Sequence, residues 1–165
     1  MKSVIETIYL AGGCLWGVQE FFRHIPGVMA TEAGRANGST QILDGDYDGY
    51  AECIKVDFDV NCVSVTQLME YLFEIIDPYS VDQQGPDIGK KYRSGVYSTN
   101  ESYLLEAKRF IESIQSKELS RPIVVEVLPL SNYLKSADEH QDRLQRFPDE
   151  VCHLPKSLIY KYYRA

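Results

Sequence analysis

An α+β architecture with a largely antiparallel sheet is expected for this chain on two grounds. Strand-like and helix-like stretches alternate along it, yet a Gly/Asn/Ser/Asp-rich loop joins the second strand to the third, where a parallel sheet needs a helical crossover. Size sets the scale: 165 residues suit one domain burying roughly two-thirds of its unfolded surface.

The elements follow in order. Residues 4–10 read as an apolar strand, and Val18, Phe21, Phe22 and Ile25 then recur at helical spacing until Pro26-Gly27 stops the helix. A strand over 28–33 precedes the polar loop, which runs through Asp48. The next strand covers 50–58, and a helix over 65–76 follows with Ser64 as N-cap and Pro78 beyond its end. Residues 82–89, Asp-Gln-Gln-Gly-Pro-Asp-Ile-Gly, resist regular structure. A short strand over 94–97, a helix over 101–115 capped by Thr99 or Asn100, a β-branched strand over 123–128 and a polar helix over 137–146 complete the pattern. There is no internal repeat. The expected whole is a single α+β domain over residues 1–165: a two-layer α/β sandwich with a mixed, largely antiparallel sheet, a ferredoxin-like core and an irregular tail over 147–165.

Composition excludes several function classes. With 24 acidic against 17 basic residues the formal charge is −7, which attracts neither nucleic acid nor an anionic membrane. Glu6 interrupts the apolar core a signal peptide needs, and no apolar run reaches transmembrane length, so a cytoplasmic protein is expected. The four cysteines, Cys14, Cys53, Cys62 and Cys152, form no C-x-x-C pair, and none of His24, His140 and His153 is followed three or four residues later by a Cys or an acidic residue. Neither a disulfide scaffold nor a metal site is implied.

The chemistry concentrates in three segments. Gly13-Cys14-Leu15-Trp16-Gly17 lies between the first strand and the first helix, where unpaired backbone N–H groups and the helix dipole favour a thiolate. A small cysteine buried in a glycine turn would look the same. Glu52 shares its parity with Ile54, Val56 and Phe58 and so points inward, where a carboxyl tends to keep its proton; at a frayed strand start it would instead reach water. The third segment, Gly85-Pro86-Asp87-Ile88-Gly89, combines backbone freedom with Tyr92 as a hydrogen-bond donor, although such clusters also make plain turns.

Together these segments resemble, in order and spacing, the A-type peptide methionine sulfoxide reductases, whose motifs read G-C-F-W-G, G-H-A-E and Q-G-N-D-x-G-x-Q-Y-R-S. The resemblance extends through Asp77-Pro78 and Asp138-Glu139-His140-Gln141 to near the C-terminus. It implies that Cys14 attacks the sulfoxide sulfur while Glu52 protonates its oxygen, leaving methionine and a Cys14 sulfenic acid. Tyr92 would bond the oxygen and Asp87 would organise the pocket and the thiolate. Trp16 would pack the S-methyl group, with Leu15 and Gly13 beside it. Cys152, twelve residues after His140, matches the position of the family's resolving cysteine, and Cys53 and Cys62 are then incidental. The implied substrate is the S epimer of methionine sulfoxide, free or in proteins, and the implied reductant is thioredoxin, with no bound cofactor or metal.

The chain departs from the family in places. Leu15 replaces the usual Phe, Tyr50 stands at the usual His, Pro86 and Lys91 replace Asn and Gln, and Thr40 stands where an oxygen-binding Tyr is usual. One donor is therefore missing or comes from elsewhere. Two other readings remain open. One is a non-catalytic relative that binds methionine sulfoxide or senses oxidants through Cys14 and Cys152. The other is a thiol hydrolase using Cys14 with His24, His140 or His153 as base.

Overall fold

The structure is a computed structural model and describes residues 3–164. Its main sheet has six strands in the order β7-β6-β1-β3-β2-β8, formed by β1 (Ile5–Gly12), β2 (Val28–Ala36), β3 (Ala51–Asp59), β6 (Ser94–Ser98), β7 (Glu126–Pro129) and β8 (Tyr133–Lys135). Only β6 and β7 pair in parallel; every other pairing is antiparallel. The helices are α1 (Leu15–Arg23), α2 (Val65–Ile75), α3 (Glu101–Gln115), α4 (Arg143–Arg146) and α5 (Lys156–Ile159). The molecule is thus a mixed α and β structure built on one mixed sheet.

The apolar periodicity decides the layering. Ile8, Leu10, Ile54, Val56, Phe58 and Val96 share one sheet face and are buried against Val18, Phe21, Phe22 and Ile25 of the first helical segment and Leu68, Met69 and Leu72 of α2. Burying each such side chain contributes on the order of 2 kcal/mol. The opposite face carries smaller residues, Ala11, Ala36, Ala51 and Cys53, under Tyr9, Tyr97 and Tyr133. Two of its hydroxyls are tied to carboxylates: Tyr97 donates to Glu126 at 2.6 Å and Tyr133 to Glu32 at 2.7 Å. Gly34 is required beneath the Tyr133 ring, which a methyl group would overlap.

Ser64 caps α2 as expected, its hydroxyl accepting from the Gln67 N–H while the Gln67 side chain accepts from the Ser64 N–H. Asn100, and not Thr99, caps α3. Three expectations need correction. Residues 82–89 are regular after all: β4 (Gln83–Gln84) and β5 (Asp87–Ile88) form a tight hairpin whose turn is Gly85-Pro86, with Gly85 at φ +57°. The polar helix over 137–146 is broken into a 3-10 turn (Asp138–His140) and α4. The break arises because the Gln141 amide docks on the edge of β2, bonding both the N–H and C=O of Ala33 at 2.8 and 2.9 Å, and Asp142 then turns left-handed at φ +50°. The β-branched strand over 123–128 starts only at Glu126, since Val124 N–H is instead bonded to the Pro78 carbonyl at 2.8 Å.

The tail past Phe147 is irregular except for α5, and it is docked. Leu154 and Ile159 join the main core, Tyr162 donates to Glu74 at 2.7 Å, and Lys161 pairs with the same carboxylate. Among the described residues no helix is long and apolar enough to cross a membrane.

Replacing Ser64 by Ala removes a reciprocal pair of cap bonds at the start of the buried helix α2. The expected outcome is a loss of about 1 kcal/mol in urea unfolding with an unchanged m-value.

Candidate active site

Strand pairing brings the three chemical segments to one end of the sheet. Leu10 pairs with Ile54 and Gly12 with Ser94, so the exit of β1 meets the entries of β3 and β6. Cys14 leaves the first, Glu52 begins the second and Tyr92 precedes the third. The β4/β5 hairpin closes the same end. Gln84, 3% exposed, anchors it by accepting from the Asp77 N–H at 2.8 Å and donating to the Asp77 carbonyl at 3.0 Å and to Ser94 Oγ at 3.1 Å.

Cys14 is the N-cap of α1, in extended conformation, one residue after Gly13 at φ +93°. The tail brings Cys152 beside it, its Sγ filling the space over Gly17 on the first turn of α1, and both cysteines are free thiols. Gly17 makes this approach possible, because a methyl group there would overlap the Cys152 Sγ. Gly13 has a matching role beneath Gln84 and His153.

Each sulfur shifts the ionisation of the other. Cys152 and burial push the Cys14 thiol up, against the Trp16 N–H that favours its anion. Cys152 is held down at about 5, first by the Cys14 S–H, with burial opposing and His153 and the Leu154 N–H adding to the hold. The helix terminus alone therefore does not decide the ionisation of Cys14, because the neighbouring sulfur and burial both oppose its anion. Two adjacent buried thiols cannot both ionise readily.

Glu52 stands on the apolar face of β3 as its parity implies. Burial raises its carboxyl to about 7, with Lys91 pulling it down, Asp87 pushing it up and Arg35 pulling it down. Its Oε2 is buried with no hydrogen-bond partner among the described residues, the condition of a carboxyl kept for a visiting group. Tyr92 lies in the same electrostatic field; burial and Glu52 push its phenol up, and Lys91 opposes. Asp87 Oδ2 sits 3.1 Å from His153 Nδ1.

Trp16 is held in place by donating its indole N–H to His140 Nδ1 at 3.1 Å, with the Arg143 guanidinium 5.0 Å from its ring centre. Leu15 is buried, at 3% exposure. Thr40 is committed elsewhere, its hydroxyl and N–H both bonding Asp48, and the Tyr47 hydroxyl donates to the Tyr50 carbonyl at 2.6 Å. Cys53 lies on the opposite sheet face, and burial pushes its thiol up; Cys62 is exposed beside Asp59.

Sequence reasoning placed Gln84 and Gly17 within the motifs without giving either a role, and it named His153 only as one of three possible bases. Adjacency to Cys152 was the available signal for His153. His24 is bonded to Glu20 at 3.0 Å and His140 to Trp16, and among the described residues no histidine hydrogen-bonds Cys14. The hydrolase arrangement on Cys14 therefore lacks its base. Among the described residues no group of three His, Cys, Asp or Glu side chains is placed to hold a metal ion.

A carboxyl near neutrality facing a cation can be titrated directly. Infrared difference spectra of the Glu52 carboxyl are expected to show a midpoint near pH 7, moving upward in Lys91→Met, because loss of the positive charge favours the protonated form.

A family profile described as peptide methionine sulfoxide reductase matches residues 6–164. A peptide methionine sulfoxide reductase MsrA from Clostridium perfringens is 41% identical over 157 residues, covering 91% of this chain and 98% of the relative. Among solved structures, Mxr1 from Saccharomyces cerevisiae in reduced form superposes with a TM-score of 0.82 at 26% identity, over 90% of this chain and 88% of that one. Methionine sulfoxide reductase A of Corynebacterium diphtheriae superposes with a TM-score of 0.78 at 28% identity, over 90% and 77%. Mxr1 has also been solved in complex with Trx2. A matching profile over nearly the whole described chain, and a relative at this identity, place this chain in the peptide methionine sulfoxide reductase family.

Proposed function

We propose that this chain reduces methionine (S)-S-oxide, free or within proteins, and is recycled by thioredoxin. The observation that carries the reading is the meeting of a thiol pair with a carboxyl ionising near 7 at one end of the sheet. A sulfoxide sulfur becomes electrophilic once its oxygen is protonated, so the reaction needs a soft nucleophile and an acid with an accessible proton.

Cys14 is the nucleophile. Its proton passes to the neighbouring Cys152 sulfur, which leaves the thiolate on Cys14 where the Trp16 backbone N–H supports it. Cys14 attacks the sulfur and Glu52 donates its proton to the oxygen. The oxygen ends on Cys14 as a sulfenic acid, and methionine departs. Tyr92 donates to the sulfoxide oxygen, Asp87 organises the pocket, and Trp16, Leu15 and Gly13 bound the methyl group. Cys152 then condenses with the sulfenic acid to a disulfide, which a thioredoxin dithiol opens by exchange. The complex of Mxr1 with Trx2 supports that choice of reductant. No cofactor or metal takes part.

The reading extends to architecture and setting. The strand–helix–strand–strand–helix–strand order of β1, α1, β2, β3, α2 and β6, with neighbours β6-β1-β3-β2 all antiparallel, supports a ferredoxin-like core in a two-layer sandwich. The packing of the docked tail on the same core supports one domain over residues 1–165. Four free cysteines and the acidic charge support a reducing, cytoplasmic setting without nucleic-acid or membrane partners.

Thioredoxin-coupled NADPH consumption with separate S and R epimers of a blocked methionine sulfoxide tests this. Turnover is expected with the S epimer only, absent in Cys14→Ser, and retained in Cys152→Ser only with a small thiol reductant. No turnover by well-folded protein with either reductant overturns the assignment and brings forward the oxidant-sensing reading. With Glu52 as acid at about 7, kcat/KM is expected to fall about tenfold per pH unit above that value, since the proton donor is lost as pH rises.

A further inference from the structure

His153 is the least explained group near the reacting sulfurs. Its side chain is 4% exposed, which for an imidazole demands partners. One ring nitrogen, Nδ1, lies between two acceptors: Asp87 Oδ2 at 3.1 Å and Cys152 Sγ at 3.6 Å. The other, Nε2, is buried without a partner among the described residues. The ring is received by two glycines from different elements. A methyl group on Gly13 would sit 3.0 Å from its Cε1, and one on Gly85 would sit 3.4 Å from its Cβ. Both positions have positive φ, so the backbone there is already shaped for residues without a side chain.

We propose that His153 is a catalytic residue of the disulfide-forming step: its Nδ1–H holds the Cys152 sulfur as the attacking anion, while Asp87 fixes the ring and with it the tail against Cys14. This inference rests on Cys152 being the resolving thiol and deepens that reading.

The chemistry balances as follows. A bond forms between Cys152 Sγ and Cys14 Sγ as the S–O bond of the Cys14 sulfenic acid breaks. The departing hydroxide carries away the proton formerly on Cys152 and leaves as water. Cys152 is oxidised from thiol to disulfide level and the sulfenic sulfur is reduced to it. Attack proceeds from the thiolate, so a fixed positive charge beside Cys152 lets the step run at a pH where an ordinary cysteine is mostly protonated. The titratable groups facing this pair are Asp87 from the β4/β5 hairpin and Cys14 from the start of α1, with Glu52 on β3 reaching Cys14. Burial disfavours the imidazolium, while Cys152 and Asp87 together raise it above its ordinary value.

The arrangement also gives Asp87 a definite task. Its carboxylate fixes the histidine through Nδ1, the same ring nitrogen that faces the Cys152 sulfur. Here the served sulfur is Cys152, so the device acts after methionine has left.

The test is a single-turnover reaction of the full chain with blocked methionine (S)-sulfoxide, quenched across the range from about pH 5.5 to 8. Methionine release reports the first step, and dimedone trapping of residual sulfenic acid reports the second. The native chain is expected to form disulfide with only a shallow pH dependence across this range, relative to methionine release, because His153 beside Cys152 favours its anion. In His153→Ala the disulfide step is expected to fall about tenfold per pH unit below roughly 8.5, and to run at least about tenfold slower than native at pH 6. His153→Asn restores an N–H at the Nδ1 position without the charge. It is expected to lie between the two, which guards against a packing defect in the Ala variant. A native rate and native pH dependence in both variants overturn the inference. Disulfide formation persisting at the native rate in Cys152→Ser would instead overturn the reading of Cys152, and the inference with it.

Discussion

The site depends on the antiparallel placement of β1 between β3 and β6. An antiparallel neighbour starts where its partner ends, so one strand exit and two strand entries meet at a single edge of the sheet. The nucleophile follows the exit, the acid opens one entry and the phenol precedes the other. Parallel pairing would have sent these groups to opposite ends. Everything chemical in the molecule is consequently within reach of a segment as short as the Gln83–Ile88 hairpin and a tail returning from beyond Phe147.

Absent side chains matter as much as present ones. Gly13, Gly17 and Gly85 each leave a space that another residue fills: Gln84 and His153 over the first, Cys152 over the second, His153 over the third. The tail can therefore lie against the start of α1 closely enough for sulfur to meet sulfur. Leu154 and Ile159 secure it from below by joining the main core, and the Glu74 carboxylate secures its end through Lys161 and Tyr162. Docking places Cys152 without a conformational search, which favours an intramolecular reaction by orientation.

Electrostatics at this edge are set by scarcity of water. Two thiols and a carboxyl, all half-buried, meet here, so each anion penalises the next. The system settles with one charge on the sulfur pair and a proton retained on Glu52 near neutrality. Lys91 supplies a cation facing Glu52 and Tyr92. It keeps the carboxyl from rising further, which matters for an acid that must also be reloaded.

Much of this was legible in the chain alone. The periodicity of Val18, Phe21 and Phe22, the Ser64 cap and the parity of Glu52 each report local backbone geometry, and local geometry is what residue order determines directly. Cys14 and Glu52 could be singled out because helix starts and strand faces are local properties. The β4/β5 hairpin, the three-residue strand β8 and the break at Gln141 were not legible, because a two-residue strand has no pattern and Gln141 is bent by an edge of β2 more than a hundred residues earlier. The ionisation of the thiol pair was hidden for the same reason. A helix terminus near Cys14 favours its anion, but only the folded tail brings Cys152 beside that sulfur and His153 beside Cys152, and these neighbours with burial oppose the effect of the helix start.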